Sequence, residues 1–168
     1  GVGGEPAVSA ADLAGIALEL GSDVPFFLSG WQAAKARGRG ERLEQVIVPP
    51  LNLVLINPRL VISAGQAYAD LVGYTPRLRT DRALARLAEG LEPGWSNGLQ
   101  PGVLRAHPGL REVLTALREA GLKGVLMSGS GSTCFGLAPS VEAAEQAARQ
   151  LAEQHPAWWV TPTCTAAA

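Results

Sequence analysis

Apolar positions fall on one helical face between Ser9 and Leu20: Leu13, Ile16, Ala17 and Leu20 recur at the required spacing. Ser9 followed by Asp12 resembles a capping box, and Gly21 supplies a left-handed stop. The pattern predicts a helix over about Ala10–Leu20 whose apolar face has no upstream strand in this sequence to cover it. The next apolar block, Val24-Pro25-Phe26-Phe27-Leu28, reads as a strand, with Pro25 fitting only its start or edge. Trp31–Arg37 alternates as a second strand and runs into the glycine turn Arg37-Gly38-Arg39-Gly40-Glu41.

From Val46 onward the pattern changes. Leu51–Asn57 is a run of Leu, Val and Ile closed by Pro58, hence a buried strand. Ser63–Val72 and Asp81–Glu89 predict helices around a Gly73–Thr80 loop. Pro108 suits the first position of a helix whose stripe is Leu110, Val113, Leu114 and Leu117, ending at Gly121. Val125–Met127 and Cys134–Leu137 are short apolar runs bounded by glycine, which predicts two buried strands around a tight small-residue loop. Ser140 caps a last helix carrying Ala144, Ala147, Ala148 and Leu151 on one face, and Trp158–Thr161 forms a final short strand. Of the adjacent Trp158 and Trp159, one packs and one faces water or a neighbour. The order strand, helices, strand, strand, helix, strand describes an α+β fold, the ferredoxin-like split β-α-β arrangement with extra helices in its first crossover. No structure is expected for the Gly/Pro-rich Gly1–Ala7.

Composition narrows the function. With 168 residues and 47% hydrophobic content the chain can bury a real core. A net charge of −1 gives no electrostatic case for nucleic acid or an anionic membrane. No apolar run approaches the ~20 residues that span a bilayer. Cys134 and Cys164 are too few for a disulfide framework and lack metal-ligand spacing, which fits a reducing cytoplasm. Gly1 is not a translation start and Met127 is the sole methionine, so the chain reads as the C-terminal part of a longer polypeptide.

Two places carry candidate chemistry. The loop Ser128-Gly129-Ser130-Gly131-Ser132 is either a flexible connector or a ligand-facing turn. Its glycines admit positive φ, and successive free N–H groups make an anion-binding concavity, so the second reading is preferred. Asp23 follows a helix C-terminus, where the macrodipole disfavours a carboxylate. It is either an Asx-turn residue bonded to its own backbone or a carboxylate held for proton abstraction or metal binding. His107 and His155 sit at helix ends as capping or surface residues, and Asn97 reads as a turn residue. A P-loop motif is missing.

Leu20-Gly21-Ser22-Asp23-Val24-Pro25-Phe26-Phe27, Ala36-Arg37-Gly38-Arg39-Gly40-Glu41 and Met127-Ser128-Gly129-Ser130-Gly131-Ser132 together resemble the GHMP kinases. Within them the chain is most similar to the branch whose acceptor is a cytidine diphosphate-linked methylerythritol. The resemblance implies ATP-dependent phosphorylation of that acceptor's 2-hydroxyl, with Mg2+, in non-mevalonate isoprenoid biosynthesis. It implies residues 1–44 as the end of the N-terminal kinase domain and residues 45–168 as the C-terminal ferredoxin-like domain. It carries the catalytic aspartate to Asp23, the phosphate-side loop to Ser128–Ser132, and the aromatic against the cytosine ring to Tyr68. Ala64 stands where these kinases usually have threonine, so either Ser63 serves in its place or that hydroxyl contact is lost. Gly98 replaces a usual acidic residue or serine. The catalytic lysine and the glycine-rich ATP loop would lie upstream of Gly1, so this segment alone is expected to be inactive. Alternatives are another GHMP kinase with a sugar or mevalonate-type acceptor, or a ferredoxin-like metabolite-binding module without catalysis.

Overall fold

Helix α1 (Ala10–Leu20) forms where the periodicity places it, with the Ser9 hydroxyl accepting the Asp12 N–H at 3.1 Å. Gly21 donates to the Ala17 carbonyl, but its φ of 166° is extended backbone rather than the expected left-handed stop. The computed structural model describes residues 9–73 and 78–166, so Gly1–Ala7 and the middle of the Gly73–Thr80 loop lie outside the described residues. The chain divides into two compact units, the first within Gly1–Pro49 and the second Pro50–Thr165. The division falls a little beyond the expected one after Glu44, because a second hairpin strand runs to Gln45.

In the first unit the block after Gly21 is helix α2 (Val24–Ser29), not a strand. Pro25 sits in its first turn, where the missing N–H is unpaired anyway and the fixed φ is already helical. Gly30 closes α2 in left-handed backbone, φ 67°. Strands β1 (Ala34–Arg37) and β2 (Arg42–Gln45) then pair antiparallel across the glycine turn. Lys35 faces Glu44 in that register and contacts its carboxylate at 3.5 Å.

The second unit is the predicted ferredoxin-like domain. Its strands are β3 (Asn52–Asn57), β4 (Lys123–Met127), β5 (Cys134–Ala138) and β6 (Trp159–Cys164). They form one antiparallel sheet in the order β4-β5-β3-β6. Helices α3 (Ala64–Ala69), α4 (Thr80–Ala88), α5 (Gln100–Ala106) and α6 (Leu110–Glu119) fill the first crossover, and α7 (Val141–Gln154) the second. Helix α5 and strand β2 have no counterpart in the sequence expectation, because their short segments show little periodicity. Val54 and Ile56 point alternately inward from β3, against the stripe Leu110, Val113, Leu114 and Leu117 of α6 and the face Ala144, Ala147, Ala148 and Leu151 of α7. Each large side chain so buried contributes about 1.5–3 kcal/mol of transfer free energy. Trp158 packs on this core and stacks on His155 at a ring separation of 3.7 Å, while Trp159 is 46% exposed. His155 follows α7 as expected, whereas His107, expected just before a helix start, closes the unexpected helix α5.

Candidate active site

The turn Ser128–Ser132 joins β4 to β5, and its shape is imposed from two sides. Strand β4 lies at the sheet edge, so one row of its backbone polar groups faces away from β5. The segment Glu92–Gln100 supplies side-chain partners to that row. Glu92 accepts the Gly124 N–H at 2.8 Å and the Trp95 indole donates to the Gly124 carbonyl at 2.9 Å. Gln100 accepts the Met127 N–H at 2.9 Å. The Asn97 amide donates to the Met127 carbonyl at 2.8 Å and to the Gly129 carbonyl at 2.7 Å, while its oxygen accepts the Leu99 N–H. Asn97, expected only as a turn residue, is therefore the clamp of the loop.

On the other side, buried Ser132 donates its hydroxyl to the Leu60 carbonyl at 2.7 Å, and Asn57 donates to the Thr133 hydroxyl at 2.9 Å. The Ser128 and Gly131 N–H groups close the turn on the carbonyls of Thr133 and Ser128. Gly129 and Gly131 take φ of 56° and 88°, and a Cβ on Gly131 would press on the Met127 sulfur at 2.8 Å, so glycine is required there. With its carbonyls drawn toward Asn97, the turn leaves the Gly129, Ser130 and Ser132 N–H groups without a protein partner among the described residues. Ser128 and Gly129 are exposed. This is the geometry of a backbone nest for an anion. The neighbouring Cys134 is no candidate nucleophile, because burial pushes its thiol up to about 12 despite the opposing pull of Arg118.

Ser63 caps α3, its hydroxyl accepting the Gln66 N–H at 3.4 Å, and Ala64 opens the helix; both are exposed. Helical spacing turns Ala67 into the core and leaves Tyr68 66% exposed, so Tyr68 is a surface aromatic rather than a core residue. The C-terminal end of α3 is pinned by α5: a Cβ on Gly102 would overlap the Asp70 carbonyl oxygen.

Asp23 belongs to the first unit. It stands at the N-terminus of α2, not merely past the end of α1, so the macrodipole that was expected to oppose its charge is joined by one that favours it. Its backbone carbonyl accepts from Phe26, while its carboxylate makes no capping hydrogen bond and is exposed. The Asx-turn alternative is thus not what the fold uses. Behind it, a Cβ on Gly40 (φ 119°) would overlap the Ser22 carbonyl oxygen, so the glycine turn of the hairpin packs directly on the Gly21–Asp23 bend. Among the described residues no group of three His, Cys, Asp or Glu side chains could hold a metal ion, and no helix is long and apolar enough to cross a membrane.

Residues 78–157 match the family model described as GHMP kinases C terminal. The chain is 50% identical over 154 residues to 4-diphosphocytidyl-2-C-methyl-D-erythritol kinase of Deinococcus radiodurans, covering 89% of this chain and 51% of that protein. It is 42% identical over 149 residues to the kinase of the same name from Thermus thermophilus, covering 88% and 54%. Among solved structures, a crystal structure of 4-(cytidine 5'-diphospho)-2C-methyl-D-erythritol kinase superposes with a TM-score of 0.81 at 40% identity, covering 92% of this chain and 57% of that one. The chain spans about half the length of the curated relatives it matches.

Proposed function

From a chain that carries a GHMP kinase C-terminal domain, we propose the acceptor half of a cytoplasmic kinase that phosphorylates the 2-hydroxyl of 4-diphosphocytidyl-2-C-methyl-D-erythritol with ATP. The observation that carries the reading is the clamped Ser128–Ser132 turn. It offers unpaired N–H groups in a chain 50% identical to a kinase of that name. In the proposed reaction the Asp23 carboxylate takes the proton of the 2-hydroxyl, whose oxygen attacks the γ-phosphorus while ADP departs. The Gly129 and Ser130 N–H groups, with the Ser128 hydroxyl, face the charge of the transferred phosphoryl group. Ser132, committed to Leu60, contributes through its backbone alone. Phosphoryl transfer is governed mainly by positioning and charge neutralisation, which is what a rigid turn supplies. Tyr68 presents its ring to the cytosine, and the exposed Ser63–Ala64 start of α3 lies beside it in sequence.

Mg2+ would travel with the ATP phosphates, which supply most of its oxygen ligands, so a protein cage is not required. Gly1–Pro49 corresponds in this proposal to the end of the N-terminal kinase domain, and the lysine and glycine-rich nucleotide loop come from the part of the relatives that the chain does not span. The test is a steady-state assay of a full-length kinase containing this segment, with three acceptors offered in parallel. ATP-dependent turnover of the cytidine diphosphate-linked acceptor is expected, and preference for homoserine or mevalonate would overturn the assignment. The segment alone should show no turnover.

A further inference from the structure

A second anion site lies away from the turn. Arg79, at the N-terminus of α4, with Arg82 and Arg86 on α4 itself, lines a single open groove of about 450 Å³ that also includes Ala83, Pro93 and Ser96. The spacing of three and four residues puts all three guanidiniums on one face, where like charges repel. Among the described residues none of the three forms an ion pair with a carboxylate. Glu92, the acidic residue of the groove, has its carboxylate committed to the Gly124 N–H at 2.8 Å. Arg86 uses its Nε on the Glu92 carbonyl, which fixes that guanidinium while its terminal nitrogens stay unpaired among the described residues.

The groove's other wall, Glu92–Ser96, belongs to the same segment whose side chains brace β4, so the site is held by the sheet rather than by a loose loop. Guanidinium forks match phosphate oxygens bidentately. A net charge of −1 and a site confined to one short helix face argue against a polynucleotide, which needs a long basic track.

We propose that this groove binds a small molecule carrying two or more phosphate charges, at a site sharing no lining residue with the Ser128–Ser132 turn or Tyr68. The proposal does not depend on the kinase reading. The chain is titrated with inorganic pyrophosphate by calorimetry, against sulfate at matched ionic strength. Saturable one-to-one binding is expected for pyrophosphate, with sulfate much weaker. The Arg79→Gln/Arg82→Gln variant, which leaves Arg86 holding Glu92, should bind at least about tenfold more weakly. Its thermal unfolding midpoint should not fall, since both side chains are exposed. Arg79→Lys/Arg82→Lys, keeping the charge without the fork, should fall between. Asn97→Ala, which disturbs the turn, should leave the affinity in place. Absent saturation, equal affinity for sulfate, or affinity lost in Asn97→Ala but retained in the double Gln variant would each overturn it.

Discussion

The two units of the chain bury apolar surface very differently. In Pro50–Thr165, Val54, Ile56, Leu110, Leu117, Met127 and Leu151 are all at or below 1% exposure around one sheet. Among the described residues of Gly1–Pro49, Ala17 is the single fully buried apolar side chain, while Leu20, Phe27 and Ile47 stand 75%, 76% and 81% exposed. Secondary structure forms in both, because caps, proline placement and a glycine turn act locally. A closed core forms in one, because four strands and their covering helices are all present there. Local signals therefore suffice to write an element but not to bury it. The proposed base lies on the poorly buried unit, and the proposed phosphate turn on the well-buried one.

The strongest way to sharpen this contrast is Asp23→Asn in a full-length kinase containing the segment. It should lower kcat by roughly 10²–10⁴-fold and leave the thermal midpoint in place, since the carboxylate makes no capping bond. A kcat within about threefold of the parent would remove Asp23 as the base. Next comes a pair of core truncations in this chain. Leu117→Ala should cost about 2–5 kcal/mol in denaturant unfolding, whereas Leu20→Ala should stay within about 0.5 kcal/mol. Comparable losses would erase the distinction between the units.

Within the second unit, Asn97→Ala removes the donor to two carbonyls and the acceptor for Leu99, at roughly 1–3 kcal/mol. Amide exchange at Gly129–Gly131 should quicken; unaltered exchange would show that the turn holds its shape without the clamp. The smallest effect on stability is expected at Tyr68, which is exposed. Tyr68→Ala should raise KM for the cytidine acceptor by the equivalent of about 1–3 kcal/mol and leave KM for ATP alone. A shift in KM for ATP instead would place Tyr68 away from the cytosine.

Periodicity and punctuation by themselves determined α1, β3, the stripe of α6, the face of α7 and the strand pair around the Ser128–Ser132 loop. These are repeats of two or 3.6 residues bounded by Ser, Pro or Gly, and each is read within a dozen positions. From those elements the antiparallel ferredoxin-like order followed. The G-S-D-V-P-F-F block and the S-G-S-G-S loop pointed to the GHMP kinases, which the comparisons support. What lay beyond the sequence was decided by contacts between distant residues. Val24–Leu28 is too short for its period to separate strand from helix, and only the fold turned it into α2 with Asp23 at its head. Asn97 acts on carbonyls 30 and 32 residues away, so its role as clamp appears only once the edge of β4 is in place. The arginine groove likewise needs α4 and the Glu92–Ser96 wall brought together, and that juxtaposition is set by the burial of Ala83 and Pro93 rather than by any motif. Short-range pattern selects the elements; which polar groups are left to meet a ligand is settled by what tertiary packing has already satisfied.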